Sequence, residues 1–163
     1  MIKDFEFYHG AVFARFLNKL DGDIKIKDYH SPSNSSYVIN DDIGVYIKYS
    51  TKRMSPWRFT FQKEHQDEIE NMSESLRSVF IILVCYDDGV VCLSFGELKQ
   101  ALDEVHKKTE WISVSRRKRE KYEVKGTDGQ LRLKIGEIDF PSKIIKDFNG
   151  KKKSRLFSVF SKK

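Results

Sequence analysis

Residues 37–61, YVINDDIGVYIKYSTKRMSPWRFTF, decide how the rest of the chain is read. Ile43, Val45, Ile47 and Tyr49 alternate with Tyr46, Lys48 and Ser50. A period of two predicts a half-buried strand. Asn40-Asp41-Asp42 just before it is turn chemistry, because Asn and Asp side chains bond their own backbone. Tyr37, Val38 and Ile39 lead into that turn, so the spacing predicts a hairpin with acids at its tip and Lys48 on its second strand. Past the Ser55-Pro56 corner, Trp57, Phe59 and Phe61 alternate with Arg58, Thr60 and Gln62, which predicts another strand. Lys48 has two readings: a lysine on a solvated face, or one half of a site facing Asp41 or Asp42.

On the N-terminal side, Phe5, Tyr8, Val12, Phe13, Phe16, Leu17 and Leu20 fall at helical spacing, and Asp21-Gly22 stops the helix. Ile24 and Ile26 alternate with lysines as a first strand, and residues 31–36 are loop by composition. On the C-terminal side, residues 63–76 form a polar helix with Ile69, Met72 and Leu76 on a narrow apolar stripe. Residues 79–86, VFIILVCY, are nearly continuous apolar sequence, which suits a strand buried on both faces. Asp87-Asp88-Gly89 turns it into a partner strand. A helix over 95–107 follows, then strands around Ile112–Val114, Tyr122–Val124 and Leu131–Ile135, then a short helix from Asp139. These elements predict an α+β (α/β-like) fold: one globular domain over 1–148, with a mixed central sheet flanked by helices. Residues 149–163 form a basic tail.

The chain has 163 residues, enough for one domain with a real core, and its 39% hydrophobic and 13% aromatic content is globular. No apolar run reaches about 18 residues, so no membrane span is expected. The opening MIKDFEFYHG mixes acids and bases without an apolar centre, so no secretory leader is expected and the location expected is cytoplasmic. Cys85 and Cys92 read as free buried thiols, and the four histidines have no metal-ligand spacing. The net charge is +6, with 30 Lys and Arg against 24 Asp and Glu. Six of those cations, Lys151, Lys152, Lys153, Arg155, Lys162 and Lys163, lie in the tail, leaving a balanced body of 24 against 24. Glycine-rich phosphate loops, nucleophile elbows and zinc-protease helices are absent. His65 with Asp67 and Glu68 reads as a solvated helix face.

The order helix, three-stranded meander, helix, buried strand over residues 5–105 resembles the core of the PD-(D/E)xK nuclease superfamily. In that family an acid at a strand turn and an acid-x-lysine on the next strand hold a divalent ion and activate water. The resemblance implies a restriction-endonuclease-like fold, catalytic Asp41, Asp42 and Lys48, and a metal such as Mg2+ held by Asp41 and Asp42. The chain departs from the pattern at Tyr46, which stands where the second acid belongs. Two carboxylates are normally needed to hold a hard cation, so Glu6 or Glu68 must supply the second, or the centre is degenerate.

Two basic stretches carry a second expectation. Lys52, Arg53 and Arg58 interleave with Tyr49 and Trp57, and Arg116-Arg117-Lys118-Arg119 sits at the turn between two late strands. Cations beside aromatics, and cations at a hairpin tip, suit a phosphate backbone, although a solvated turn that blunts a sheet edge has the same composition. The expected partner is a nucleic acid or other polyanion, with a nuclease-like scaffold, active or degenerate, behind it. The alternative is a non-catalytic protein-interaction module, such as a subunit of a larger bacterial assembly docking an acidic protein.

Overall fold

The computed structural model describes residues 1–29 and 32–148, so the basic tail and the His30-Ser31 step lie outside the described residues. In chain order the elements are α1 (Asp4–Lys19), β1 (Ile26–Asp28), β2 (Ser36–Ile39), β3 (Ile43–Ser50), β4 (Trp57–Gln62), α2 (Lys63–Ser75) and β5 (Ser78–Cys85). Then come β6 (Gly89–Ser94), α3 (Phe95–Ala101), β7 (Thr109–Ser115), β8 (Glu123–Gly126) and β9 (Gly129–Gln130), and α4 over 139–148. The class is α+β, in one domain.

The hairpin forms where its sequence predicts it. Asn40 and Asp41 take the left-handed backbone (φ 49° and 68°), which Asn and Asp tolerate better than other non-glycine residues. Ile39 then pairs with Ile43, and β2 with β3, antiparallel. β5 lies parallel to β3 along its whole length and pairs with β6 antiparallel, giving a mixed sheet of order β1-β2-β3-β5-β6. The apolar 79–86 run is thus an inner strand, as a sequence apolar on both faces requires. β3 is buried on both faces from Ile43 to Ile47, rather than on one as its alternation predicts. Ile43, Val45 and Ile47 face α1 and α4, packing with Val12, Phe16, Phe140 and Ile144. Tyr46 faces the other way, into a larger core with Ile69 and Met72 of α2 and Leu98 of α3. α2 sits so close over β3 that a side chain at Gly44 would collide with Met72 and Leu76.

The single central sheet expected from the sequence is in fact two. β4 leaves β3 at the Ser55-Pro56 corner and begins a second, antiparallel sheet, β4-β7-β8-β9. Both edges of β3 are already taken by β2 and β5. β4 also alternates strictly between buried Trp57, Phe59, Phe61 and exposed Arg58, Thr60, Gln62. A strand with one polar face is stable only where that face meets water. The second sheet therefore packs its apolar face on the larger core, through Phe59, Phe61, Ile112, Val114 and Val124, and leaves the other face open.

Two further expectations are corrected. The helix read over 95–107 stops at Ala101, because the β8–β9 turn docks there: Asp128 N donates to Ala101 O (3.0 Å). A side chain at Gly126 would strike the same carbonyl. The strand read over 131–135 is reduced to a single bridge between Tyr122 and Ile135, with β9 ending at Gln130.

Candidate functional site

The three residues read as a metal-dependent centre occupy different parts of β3. Asp41 and Asp42 lie at its N-terminal end, and Lys48 lies six residues further on, about 20 Å along an extended strand. The acids are committed to ion pairs. Asp41 meets Lys25 (3.2 Å) and Lys27 (2.7 Å), and these hydrogen bonds, Lys27 first, hold its carboxyl below the usual range. Asp42 accepts from Arg77 Nε (3.1 Å), whose guanidinium also meets Asp147 (2.9 Å). Arg77 joins α2 to β5, so these bridges tie the tip to the start of the parallel strand. The acids offered as substitutes lie elsewhere. Glu6 caps α1, accepting from Lys3 N (2.7 Å), and Glu68 accepts from Ser33 Oγ and Ser36 Oγ (2.6 Å for Ser36). The structure does not bring Asp41, Asp42 and Lys48 to one metal-sized space.

Lys48 sits in a different constellation. Its Nζ is 3.3 Å from His65 Nδ1 and 5.0 Å from the centre of the Phe61 ring. Burial pulls its pKa down to about 8. His65 Nδ1 also accepts from Gln62 N (3.1 Å). Burial, and then the Lys48 charge, hold the imidazole below its ordinary pKa. Tyr46 beside it is fully buried, and burial followed by the Glu68 carboxylate pushes its phenol far up. The sequence hides this contact, because β4 runs into α2 without a loop and so places the third residue of a polar helix over the strand.

The two basic stretches do come together. Arg116 N donates to Ser55 Oγ (3.2 Å), joining the 51–56 corner to the 116–121 loop. Trp57 is a buried anchor whose indole donates to Lys52 O (2.9 Å), fixing the corner from beneath. A cleft of about 470 Å³ opens there, lined by Ser55, Ser115, Arg117, Lys121 and Lys134 together with the acids Glu120 and Glu123. Arg116 itself is structural. Its guanidinium meets Asp88 (2.8 Å) and Glu137 (3.0 Å) and lies over the Tyr122 ring (4.2 Å). Among the described residues, Arg53, Arg117, Lys118 and Arg119 are exposed and form no ion pair. Lys52 turns its amine to Pro56 O (2.8 Å).

Beside the cleft, the open face of the second sheet carries a feature that no basic run announces. Arg58 lies over Trp111 (4.6 Å), and Arg58, Ser113 and Lys125 are cross-strand neighbours in one row. The alternation of Trp111, Ser113 and Ser115 with Ile112 and Val114 is the signal that places Trp111 on the outer face. No family model, curated protein or solved structure matches the chain.

Proposed function

We propose that the chain binds a nucleic acid, or a polyanion of similar charge spacing, at the rim built by residues 51–56 and 116–121. The observation that supports this reading is the Arg116–Ser55 contact. It makes one surface of two basic segments whose contacting residues lie 61 apart in sequence. Arg53, Arg117, Lys118 and Arg119 are exposed there and, among the described residues, form no ion pair, so phosphate can meet them without breaking an internal bond. Binding of this kind is driven by counterion release and reads the backbone rather than the bases. Trp111 under Arg58 adds a ring on which an unpaired base can stack.

The proposal is one of binding. Asp41 and Asp42 are spent on Lys25, Lys27 and Arg77, and no cleavage step runs through them and Lys48. The buried free thiols Cys85 and Cys92 belong to opposite faces of the first sheet, which fits a reducing, cytoplasmic setting. Among the described residues no helix is long and apolar enough to cross a membrane. Fluorescence anisotropy with labelled single-stranded and duplex oligonucleotides at low ionic strength tests the reading. Binding should be detected, and neutralising Lys52 and Arg53 should weaken it without altering the fold. Absence of binding at low salt, where electrostatic attraction is strongest, rejects it in favour of an acidic protein partner.

A further inference from the structure

We propose that Asp103, Glu110 and Asp128 hold a hard divalent cation, Ca2+ above all, that fastens the α3–β7 connection to the β8–β9 turn. The three acids come from three places: just after α3, the second residue of β7, and the turn between β8 and β9. One carboxylate oxygen from each lies within 4.8 Å of the others. Oxygens opposite one another across Ca2+ stand about 4.6–5.2 Å apart, against about 4.0–4.2 Å across Mg2+. The separations fit within a Ca2+ shell, and three protein carboxylates suit Ca2+ better than Mg2+, which keeps several waters and takes one or two carboxylates.

Glu110 distinguishes this cluster from an ordinary group of surface acids. It is the inward-facing residue of its strand pair, fully buried opposite Phe61. Gln66 Nε2 donates to its Oε2 (2.8 Å), but Oε1 is buried and no N–H or O–H donor reaches it; its remaining neighbour is the Asp128 carboxylate, which it can hydrogen-bond only if one of the two acids holds a proton. A buried carboxylate oxygen without a donor is costly unless a proton or cation meets it. The existing partners of the other two acids are weak counterweights. Asp128 accepts from Asp103 N (3.0 Å) and lies 3.7 Å from the exposed Lys107 amine, and Asp103 accepts from Val105 N (2.9 Å). Among the described residues one lysine thus stands against three acids. A cation would replace it, with water completing the six to eight oxygens Ca2+ takes.

Terbium luminescence on the full chain tests the site, because Trp111, next to Glu110, can sensitise a bound lanthanide. Excitation of tryptophan should give emission that Ca2+ displaces and Mg2+ displaces poorly. Removing a direct ligand in Asp103→Asn, an exposed position, should weaken Ca2+ by at least the roughly 10–100-fold that loss of an outer-shell partner costs. Glu110→Gln should abolish the signal. If that variant fails to fold, Asp103→Asn still decides. Emission that Ca2+ does not displace, or Ca2+ affinity unchanged in Asp103→Asn, overturns the proposal and leaves an acid–acid hydrogen bond only.

Discussion

The two ends of the parallel pair β3/β5 carry opposite charge and treat it in opposite ways. At the N-terminal end, Asp41 and Asp42 are each answered by cations from neighbouring elements, Lys25, Lys27 and Arg77. At the C-terminal end, Arg53, Arg117, Lys118 and Arg119 project from two joined loops and are answered by none among the described residues. Charges that are paired internally hold elements in register, whereas charges left in water are available to a partner. The difference shows that a local acid-plus-lysine spacing does not define a site. What surrounds each charge in three dimensions does.

Arg116, unlike its neighbours Arg117, Lys118 and Arg119, is ion-paired as the charges at the acidic end are. Arg116→Ala removes a mostly buried partner of Asp88 and Glu137, and should cost about 3 kcal/mol in urea unfolding. A neutral outcome would return Arg116 to the ligand-facing set. Lys48 provides the next largest effect, of opposite sign. Its pKa is about 8 when folded and 10.5 when unfolded, so the unfolded state binds the proton more tightly. Stability is fully present above about pH 10.5, falls as pH drops towards 8, and stays low below that. Lys48→Met should therefore stabilise the protein at pH 7 by roughly 1–3 kcal/mol, and the gain should vanish above about pH 10.5. Unfolding midpoints at pH 7 and at high pH check this, and a gain that persists at high pH would assign the effect to packing.

Smaller effects are expected at the acidic tip. Asp42→Asn weakens a partly exposed pair with Arg77 and should cost about 1 kcal/mol. Asp41→Asn, on a fully exposed network, should leave the unfolding midpoint unchanged. Neither substitution should reduce oligonucleotide affinity, and a fall in affinity with either would join the two ends functionally and undo the contrast.

Much of the fold is legible in the sequence, because its main devices are local. The Asn40-Asp41 turn, the doubly apolar 79–86 run and the strict alternation of 57–62 each state their own environment. What is missing depends on partners distant in sequence. The same one-sided pattern of β4 that announces a strand also excludes it from the central sheet, but only once β2 and β5 are known to occupy both edges of β3. The helix after Phe95 keeps its apolar spacing to Val105, yet ends at Ala101 because the turn at Asp128 claims its last carbonyl. The basic stretches are legible as composition, and their union through Ser55 and Arg116 is not. Nor is the split of Arg116 from Arg117, Lys118 and Arg119: four adjacent cations look alike until Asp88, Glu137 and Tyr122 arrive around one of them. His65 and Glu110 look like helix-surface and strand residues, and only the third dimension places one against Lys48 and the other beneath two acids.

Whether the basic rim meets phosphate is decided by the salt dependence of oligonucleotide affinity, compared between the native chain and Arg117→Ala/Lys118→Ala/Arg119→Ala. Each lost phosphate contact lowers the slope of log K against log salt by about 0.7–0.9. If the rim meets phosphate, the slope should fall by about 2–3 with the unfolding midpoint unchanged. An unchanged slope would contradict the account and place the ligand elsewhere.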